Sequence, residues 1–509
     1  MRINRIENNN TPKKRNVNFK GGMGALSNAL YTLGNNDMLN ASFVDVFAMD
    51  TPRTIVETKY RGKQAGIEMG FREYTGTFIA EFSAAVFAVL ASKLISKKLN
   101  PQVKVNSGSW ITNNGLEVLD DIYKKSDKTP KGYVSKVLNS LSGVVGAQKK
   151  NFADLDKEKT TSIVEKLTYL ITNDKDKKAG KKELNEVQNE IIKLLGADNN
   201  ITVKSGDKEL SSNLTHTLRD IVDSGKNIFF NEAKQESGQI LSKLRKMNNL
   251  RLGIAIPLSM GLAITNQYIN RYLTKKRTGI DNFVGENGYQ NNVKSQKEKG
   301  KEKGLWLKKL ISAGVFVLML TKVMGVKKPA DLVKKLEFDG PATSGNAIKT
   351  IYGTLILGRI FASKDSTELR ETNVRDYLGF LNWLVLGGFV AKGVGQMLDP
   401  KQKELFNITK EGKGVKHWLQ NVSLKSQKEI IAQGGNVKSN LRKLNIAQMS
   451  GIAYSAIMLG VLLPKLNIWM TRHSGKKQQT QAPQDQTKIA NVNFKSNFMS
   501  MDEFTKKKA

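Results

Sequence analysis

The chain has 509 residues, 81 Lys and Arg against 46 Asp and Glu, and a formal net charge of +35. It contains no cysteine, which excludes disulfides, thiolate nucleophiles and zinc–thiolate sites. Its three histidines, His216, His417 and His473, are far apart in sequence, so a histidine-based metal cluster is not expected. Lys outnumbers Arg roughly fourfold. Lysine is a point charge that recognises bases and phosphates poorly in bidentate fashion, so the excess suits non-specific attraction to a polyanion. An anionic lipid surface is the expected partner and nucleic acid the alternative. An A/T-rich genome would also raise Lys and Asn, without any partner.

Residues 1–20 read as a flexible basic tail; no apolar run follows the first charges, so a secretory signal is not expected. Residues 21–99 hold apolar stretches at about 23–47 and 74–95. A polar insertion follows at 100–235, with helical patterns near 132–147, 157–172 and 182–196. Thr160, Thr161 or Ser162 is placed to cap the second of these. Asn200–Leu210 reads as a hairpin around Ser205-Gly206-Asp207. Asp174 and Asp176 resemble part of a calcium loop, but lysines fill the remaining ligand positions, and no EF-hand is expected. Residues 236–279 carry a third apolar stretch at 252–270. A basic linker at 280–335 encloses an apolar helix at 305–326. Residues 336–476 hold apolar stretches at 346–362, 377–398 and 444–464, and 477–509 reads as a disordered tail. The pentapeptide Asn-Val-Asn-Phe-Lys occurs in both tails, at 16–20 and 491–495.

Self-comparison finds the same residues in the same order on both sides of residue 300. Phe19-Lys20-Gly21 before Asn28-Ala29-Leu30 is echoed by Phe338-Asp339-Gly340 before Asn346-Ala347-Ile348. Val46-Phe47-Ala48 is echoed by Ile360-Phe361-Ala362, and Arg72-Glu73-Tyr74-Thr75-Gly76 by Arg375-Asp376-Tyr377-Leu378-Gly379. Ser242-Lys243-Leu244-Arg245-Lys246 is echoed by Ser439-Asn440-Leu441-Arg442-Lys443. Gly253-Ile254-Ala255 matches Gly451-Ile452-Ala453, and Asn270 to Lys275 matches Asn467 to Arg472. Together these predict two related halves, about 17–279 and 336–476, that differ by the insertion at 100–235.

Segments 252–270 and 444–464 carry no charge. At 1.5 Å per residue each is long enough for a hydrocarbon core of about 30 Å. The other apolar stretches contain Glu81, Lys322, Arg359 or Lys392. Lysines near helix ends can snorkel, whereas Glu81 lies deeper and needs a partner. Both uncharged segments are flanked by Lys or Arg on either side, which a simple span would not show. A re-entrant path turning at Pro257 or Gly261, and at Gly460 or Pro464, would account for it. The alternative is a soluble protein with wholly apolar core helices.

Arg72-Glu73-Tyr74 and Arg375-Asp376-Tyr377 each precede an apolar helix. They are candidates to pair across the interface of the two halves, around a cavity. The plainer reading is a girdle of Tyr and Arg at the water boundary. Arg245, Lys246, Arg442 and Lys443 are candidate contacts for lipid head groups or phosphates, against the plainer reading of solvated helix ends. Gly21-Gly22-Met23-Gly24 and Lys392-Gly393-Val394-Gly395 lack the strand and the Lys-Ser/Thr of a phosphate loop. No hydrolase or metalloprotease motif is present, and neither an enzyme nor a cofactor is expected.

The sequence thus predicts an all-α protein of two repeat-related helical halves with apolar, membrane-embedded helices and a mainly helical soluble insertion. The expected function is that of a scaffold or membrane organiser in the cytoplasmic membrane, basic regions facing the cytoplasm. A cytoplasmic polyanion-binding protein and a pore or carrier built on the repeat are the alternatives.

Overall fold

The computed structural model describes residues 22–99, 110–173, 177–230, 237–279, 304–328, 331–332, 335–339 and 342–480. The tail at 1–20, the paired pentapeptides, Phe19-Lys20-Gly21, Asp174, Asp176, most of the linker after 280 and residues 481–509 lie outside the described residues.

The chain is mostly helical. It begins with α1 (Gly22–Gly34) and α2 (Asp37–Phe43), whose start is fixed by Asn36 accepting from the Leu39 amide. A π-helical turn, Val44–Asp50, carries α2 into α3 (Thr51–Arg61), which has Pro52 in its first turn where no N–H is required. Gly62, at φ 95°, breaks the chain direction. The next helix climbs back as α4 (Lys63–Phe78), a second π-turn (Ile79–Ser83) and α5 (Ala84–Leu99).

The insertion has its own core. It consists of α6 (Asn113–Lys124), α7 (Pro130–Asn139), strands β1 (Leu141–Val145) and β2 (Gln148–Asn151), α8 (Lys157–Thr172), α9 (Lys177–Leu195), β3 (Ile201–Ser205), β4 (Lys208–Ser212) and α10 (Leu214–Phe229). The strands form one antiparallel sheet in the order β2-β1-β3-β4. The helix expected over 132–147 ends at Asn139 instead: Ser140 closes it, and the β-branched pair Val144-Val145 enters the sheet before the turn at Gly146 and Ala147, both at positive φ. Helix α8 is capped by Asp156, one turn before the threonines the sequence offers. Leu138, Leu141, Ile163, Leu167, Ile191, Ile201, Leu218 and Ile221 are wholly buried in this core. Ile240, Leu241 and Leu244 of the next helix are buried with them.

That helix, α11 (Ser237–Thr278), runs unbroken for 42 residues with Pro257 inside it. It makes no turn at Pro257 or Gly261. Then come α12 (Leu305–Val323), the short pair β5 (Phe338–Asp339) and β6 (Ala342–Thr343), and α13 (Gly345–Ala362), capped by Ser344. Helix α14 (Ser366–Leu381), capped by Asp365, passes through a third π-turn (Asn382–Leu386) into α15 (Gly387–Leu398). A compact stretch follows: β7 (Phe406–Ile408), α16 (Val415–Asn421), β8 (Val422–Leu424) and α17 (Gln427–Gln433), the last begun by a capping box of Ser426 and Glu429. Helix α18 (Val437–Ser455), a fourth π-turn (Ala456–Leu462) and α19 (Leu463–Thr480) complete the described chain without a re-entrant turn. Residues from Ile468 onward form a separate unit, in which Trp469 stacks on His473 at 5.5 Å.

Helix α5 packs along α11, and α15 along α18. Helix α11 also packs against α13, while the π-turn of α18–α19 packs against α3 and its π-turn. These contacts are close. A Cβ on Gly358 of α13 would stand 2.6 Å from the Ile264 carbonyl of α11, and one on Gly451 of α18 would stand 2.6 Å from the Gly387 carbonyl. Glycine lets the backbones approach where no side chain fits. The first turns of α11 are buried with the insertion, and the start of α18 is tied to Glu404 by Asn440, beside α17, which packs on α9 of the insertion. Asn270, toward the far end of α11, donates to the Glu68 carbonyl, and Asn467 of α19 donates to the Glu371 carbonyl.

Among the described residues three helices are long and apolar enough to cross a membrane: Lys63–Leu94, Gln239–Thr278 and Val437–His473. On α11 the exposed side chains include Ile254, Leu258, Leu262, Ile269 and Leu273. They mark a stripe of about 29 Å along the axis. Phe71, Phe78, Val86, Leu90 and Leu94 are exposed on α4–α5, and Ile446, Ile457 and Leu462 on α18 and its π-turn. Leu307, Ile311, Val315 and Leu318 form a shorter exposed stripe on α12.

Candidate functional site

A network of buried charges joins the helices. In helix α13 the stretch from Ile351 to Gly358 carries no charge, and in the last turn Arg359 points inward and is 2% exposed. Its guanidinium bridges two acids from different helices, Asp376 of α14 at 3.1 Å and Glu73 of α4 at 3.3 Å. Glu73 is also met by Arg53 of α3 at 3.3 Å and Arg72 at 3.5 Å, and Asp376 by Arg375 at 2.9 Å. All six side chains are buried. An arginine fork suits this position because its planar donors serve two carboxylates at once.

Local chain geometry supplies Arg53 with a further acceptor. In the π-turn Ala456–Leu462 the Leu463 amide bonds to the Met458 carbonyl. The next donor in that pattern would be residue 464, a proline, which has no N–H. The Leu459 carbonyl is left open, and Arg53 donates to it at 3.4 Å.

A second layer lies alongside. Arg61 at the end of α3 pairs with Glu371 of α14 at 2.6 Å and with Glu57 at 3.4 Å. Asp50 accepts from the Thr77 hydroxyl at 2.7 Å. Arg271 of α11 pairs with Glu368 of α14. Isolated charges at such depth would be prohibitively costly, and mutual pairing compensates them.

The sequence singled out Arg72, Glu73, Arg375 and Asp376, and the structure brings these four together. Each arginine contacts the acid beside it in sequence, and Arg359 makes the link between the two acids. The four residues are at most 3% exposed. The two tyrosines part company. Tyr74 is exposed and shares a 2.7 Å hydrogen bond with Thr51, whereas Tyr377 donates to the Ser312 carbonyl of α12 and stacks on Phe316. Arg53, Arg61 and Glu371 were not singled out. The Arg61–Glu371 pair joins residues far apart in the chain, and the one available signal was Arg359 as a charge late in a largely apolar helix.

Arg245 pairs with Glu117 of the insertion. Lys246 and Arg442 are exposed and Lys443 is half-buried; among the described residues none of the three has an acidic partner. All four sit near the starts of α11 and α18.

The insertion and the α17 segment meet through a polar joint. Glu429 accepts from the Asp198 amide at 2.7 Å, the Ser426 amide at 2.7 Å and the Asn407 side chain at 2.9 Å. Burial nevertheless pushes its carboxyl above the ordinary range. Lys428 donates to Gln188 at 2.5 Å and lies over the Tyr31 ring; burial pulls its ammonium below the ordinary lysine range. Among the described residues no group of three or more His, Asp or Glu is arranged to hold a metal ion.

Comparison with known protein families, with curated proteins and with solved structures finds no match to this chain. The site is therefore read from its own chemistry. Its arginines and acids pair across four helices, although single atoms such as Arg72 Nη2 and Asp376 Oδ2 stay without a hydrogen bond.

Proposed function

We propose that this chain is a membrane-embedded helical scaffold, built from two duplicated halves and carrying a water-facing domain at one end. The observation that carries the reading is the exposed apolar stripe on α11, about the thickness of a bilayer's hydrocarbon core, with companion stripes on α4–α5, α18 and α12. Soluble monomers rarely leave apolar surface of this extent uncovered.

Three correspondences support the duplication. In both hairpins a π-turn follows the Arg-acid pair at the same spacing, Ile79–Ser83 after Arg72 and Asn382–Leu386 after Arg375. In both, the returning helix packs along the last helix, α5 on α11 and α15 on α18. Each last helix also packs against the opening helices of the other half. Parallel halves locked by buried ion pairs favour a scaffold over a carrier, since carriers commonly use inverted halves around a midplane site. Lys246, Arg442 and Lys443 would then face anionic head groups at the insertion end.

Extraction tests the embedding. The expected result is retention in membranes through high salt and alkaline carbonate, with release by detergent. Release by carbonate alone would overturn it. The absence of cysteine makes topology directly measurable. Single cysteines at Lys246 and Lys443 are expected to react with an impermeant maleimide from one and the same side. Labelling from opposite sides would sink the parallel arrangement.

A further inference from the structure

The charge network leaves one large opening unused. A cleft of about 380 Å³ lies at the insertion end of the bundle, between α1–α2 and the helices α13, α15 and α18. Its volume falls within the range of ligand pockets, about 300–1,000 Å³. The walls are apolar, with Leu33, Val44, Ile348, Trp383 and Ile452, and the backbone is laid open by Gly387, Gly388 and Gly451. Two opposite charges line the same cleft, Asp37 and Lys349. They stand beyond salt-bridge distance of each other, although Asp37 still attracts the Lys349 ammonium, and neither forms an ion pair with any other described residue. One Asp37 oxygen accepts from the Gly345 amide at 2.8 Å, which leaves the other available. The side-chain amides of Asn40 and Gln448 also line the cleft and make no hydrogen bond within the protein.

Unpaired charges of both signs beside an apolar trough describe a complementary ligand. It has an anionic group and a donor cation a few atoms apart on an apolar body. A free inorganic anion would meet Asp37 as a repulsion and would leave the trough empty. A singly anionic lipid would satisfy Lys349 and leave Asp37 facing it. The position agrees with a lipid: the cleft's α18 residues, Gln448 to Ser455, lie where the exposed apolar stripe of that helix begins, at Ile446.

We infer that this cleft holds a zwitterionic phospholipid bearing a primary amine, phosphatidylethanolamine, with its phosphate on Lys349, its ammonium on Asp37 and part of one acyl chain against Trp383. The amides of Asn40 and Gln448 supply the remaining donors for phosphate and ester oxygens. Phosphatidylcholine fits less well because its quaternary ammonium has no N–H to donate to Asp37. The inference rests on the embedding proposed above.

Native mass spectrometry of the full chain, delipidated in detergent and offered phosphatidylethanolamine, phosphatidylcholine or phosphatidylglycerol, tests it. One phosphatidylethanolamine per chain is expected, retained about tenfold better than either competitor, the scale of one charge-assisted hydrogen bond. Lys349→Met is expected to weaken all three lipids. Asp37→Asn is expected to erase the preference over phosphatidylglycerol while keeping phosphate binding. Gly388→Leu is the steric test, because a Cβ there meets nothing within 4 Å and the side chain grows into the cleft. It is expected to empty the site with an unchanged melting temperature. Equal retention of the three lipids by the unaltered chain, or undiminished phosphatidylethanolamine in Gly388→Leu, would overturn the inference. The two proposals fail separately. A chain that enters no vesicle of any composition removes the embedding and this site with it. A chain that embeds in vesicles but shows no lipid preference removes the site alone.

Discussion

Asn467 donates its side-chain amide to the main-chain carbonyl of Glu371 at 3.1 Å. Asn270 makes a like bond to the carbonyl of Glu68, at 3.5 Å. Each ties the far end of a long helix to the start of a hairpin, and both asparagines are buried. Asn467→Ala is expected to cost about 1 kcal/mol, the scale of an interhelical hydrogen bond in an apolar medium. Asn270→Ala, losing the longer bond, is expected to cost less. Denaturation of the detergent-solubilised variants measures both. Equal tolerance of the two substitutions would mean the bonds contribute nothing.

Arg359 is expected to be the least replaceable of the buried arginines. Arg359→Met takes away the partner that Glu73 and Asp376 share, leaving them to Arg53, Arg72 and Arg375, at a cost of up to about 3–5 kcal/mol. Arg359→Lys keeps the charge but not the fork, so it reaches one acid well and is expected to fall between wild type and Arg359→Met. Accumulation in membranes and resistance to proteolysis read out the order. Arg359→Met folding as stably as wild type would remove the network from any structural role.

Glycines separate close packing from lipid-facing surface. Gly358→Ala pushes a methyl into the Ile264 backbone, which cannot yield as a side-chain tip would. A loss of about 1–3 kcal/mol is expected. Gly261→Ala, on α11 with nothing within 4 Å, is expected to stabilise by up to about 1 kcal/mol through helix propensity alone. Thermal melts of the pair should move in opposite directions.

Acidity should act on the joint at Glu429. Its carboxyl is held above the ordinary range by burial, so the folded chain binds that proton more tightly than the unfolded chain does. The folded state therefore gains stability as pH falls from neutral through the raised pKa, and the gain stops at the ordinary carboxylate value of about 4.3. Glu429→Gln lacks this titration while every other group is shared. Between pH 7 and 5 the wild type is expected to gain melting temperature relative to Glu429→Gln; a widening deficit would reverse the assignment.

Much of the helical layout is legible because apolar periodicity and end signals act locally. The pattern at 157–172 is helix Lys157–Thr172, and the apolar stretch from 305 is helix Leu305–Val323. Strand β1 was not legible. Val144 and Val145 continue the apolar pattern of the preceding helix, and the sheet pairing that claims them comes from Ile201–Ser205, far along the chain. The charge network was half legible. Arg72-Glu73 and Arg375-Asp376 stand out because the Arg-acid-Tyr pattern recurs, but Arg53 and Arg61 belong to no recurring pattern. The role of Arg359 depends on two acids from separate helices meeting at one point, which periodicity along one chain does not encode.

The π-turns have a mechanical consequence. Each widens its helix by one residue, so it sets the angle between the segments before and after it. Removing a single residue from Ile79–Ser83 would let an ordinary helix close, and would turn everything beyond it by about 100° relative to Arg72 and Glu73. Ala84 and Ala88, now wholly buried, would swing outward, and neighbours as bulky as Leu90 would be driven toward α11. The same holds for Asn382–Leu386 and the contact of Gly387 with Gly451. The length of these short turns is thus under tighter constraint than their composition. Substitutions there should be absorbed where one-residue deletions are not.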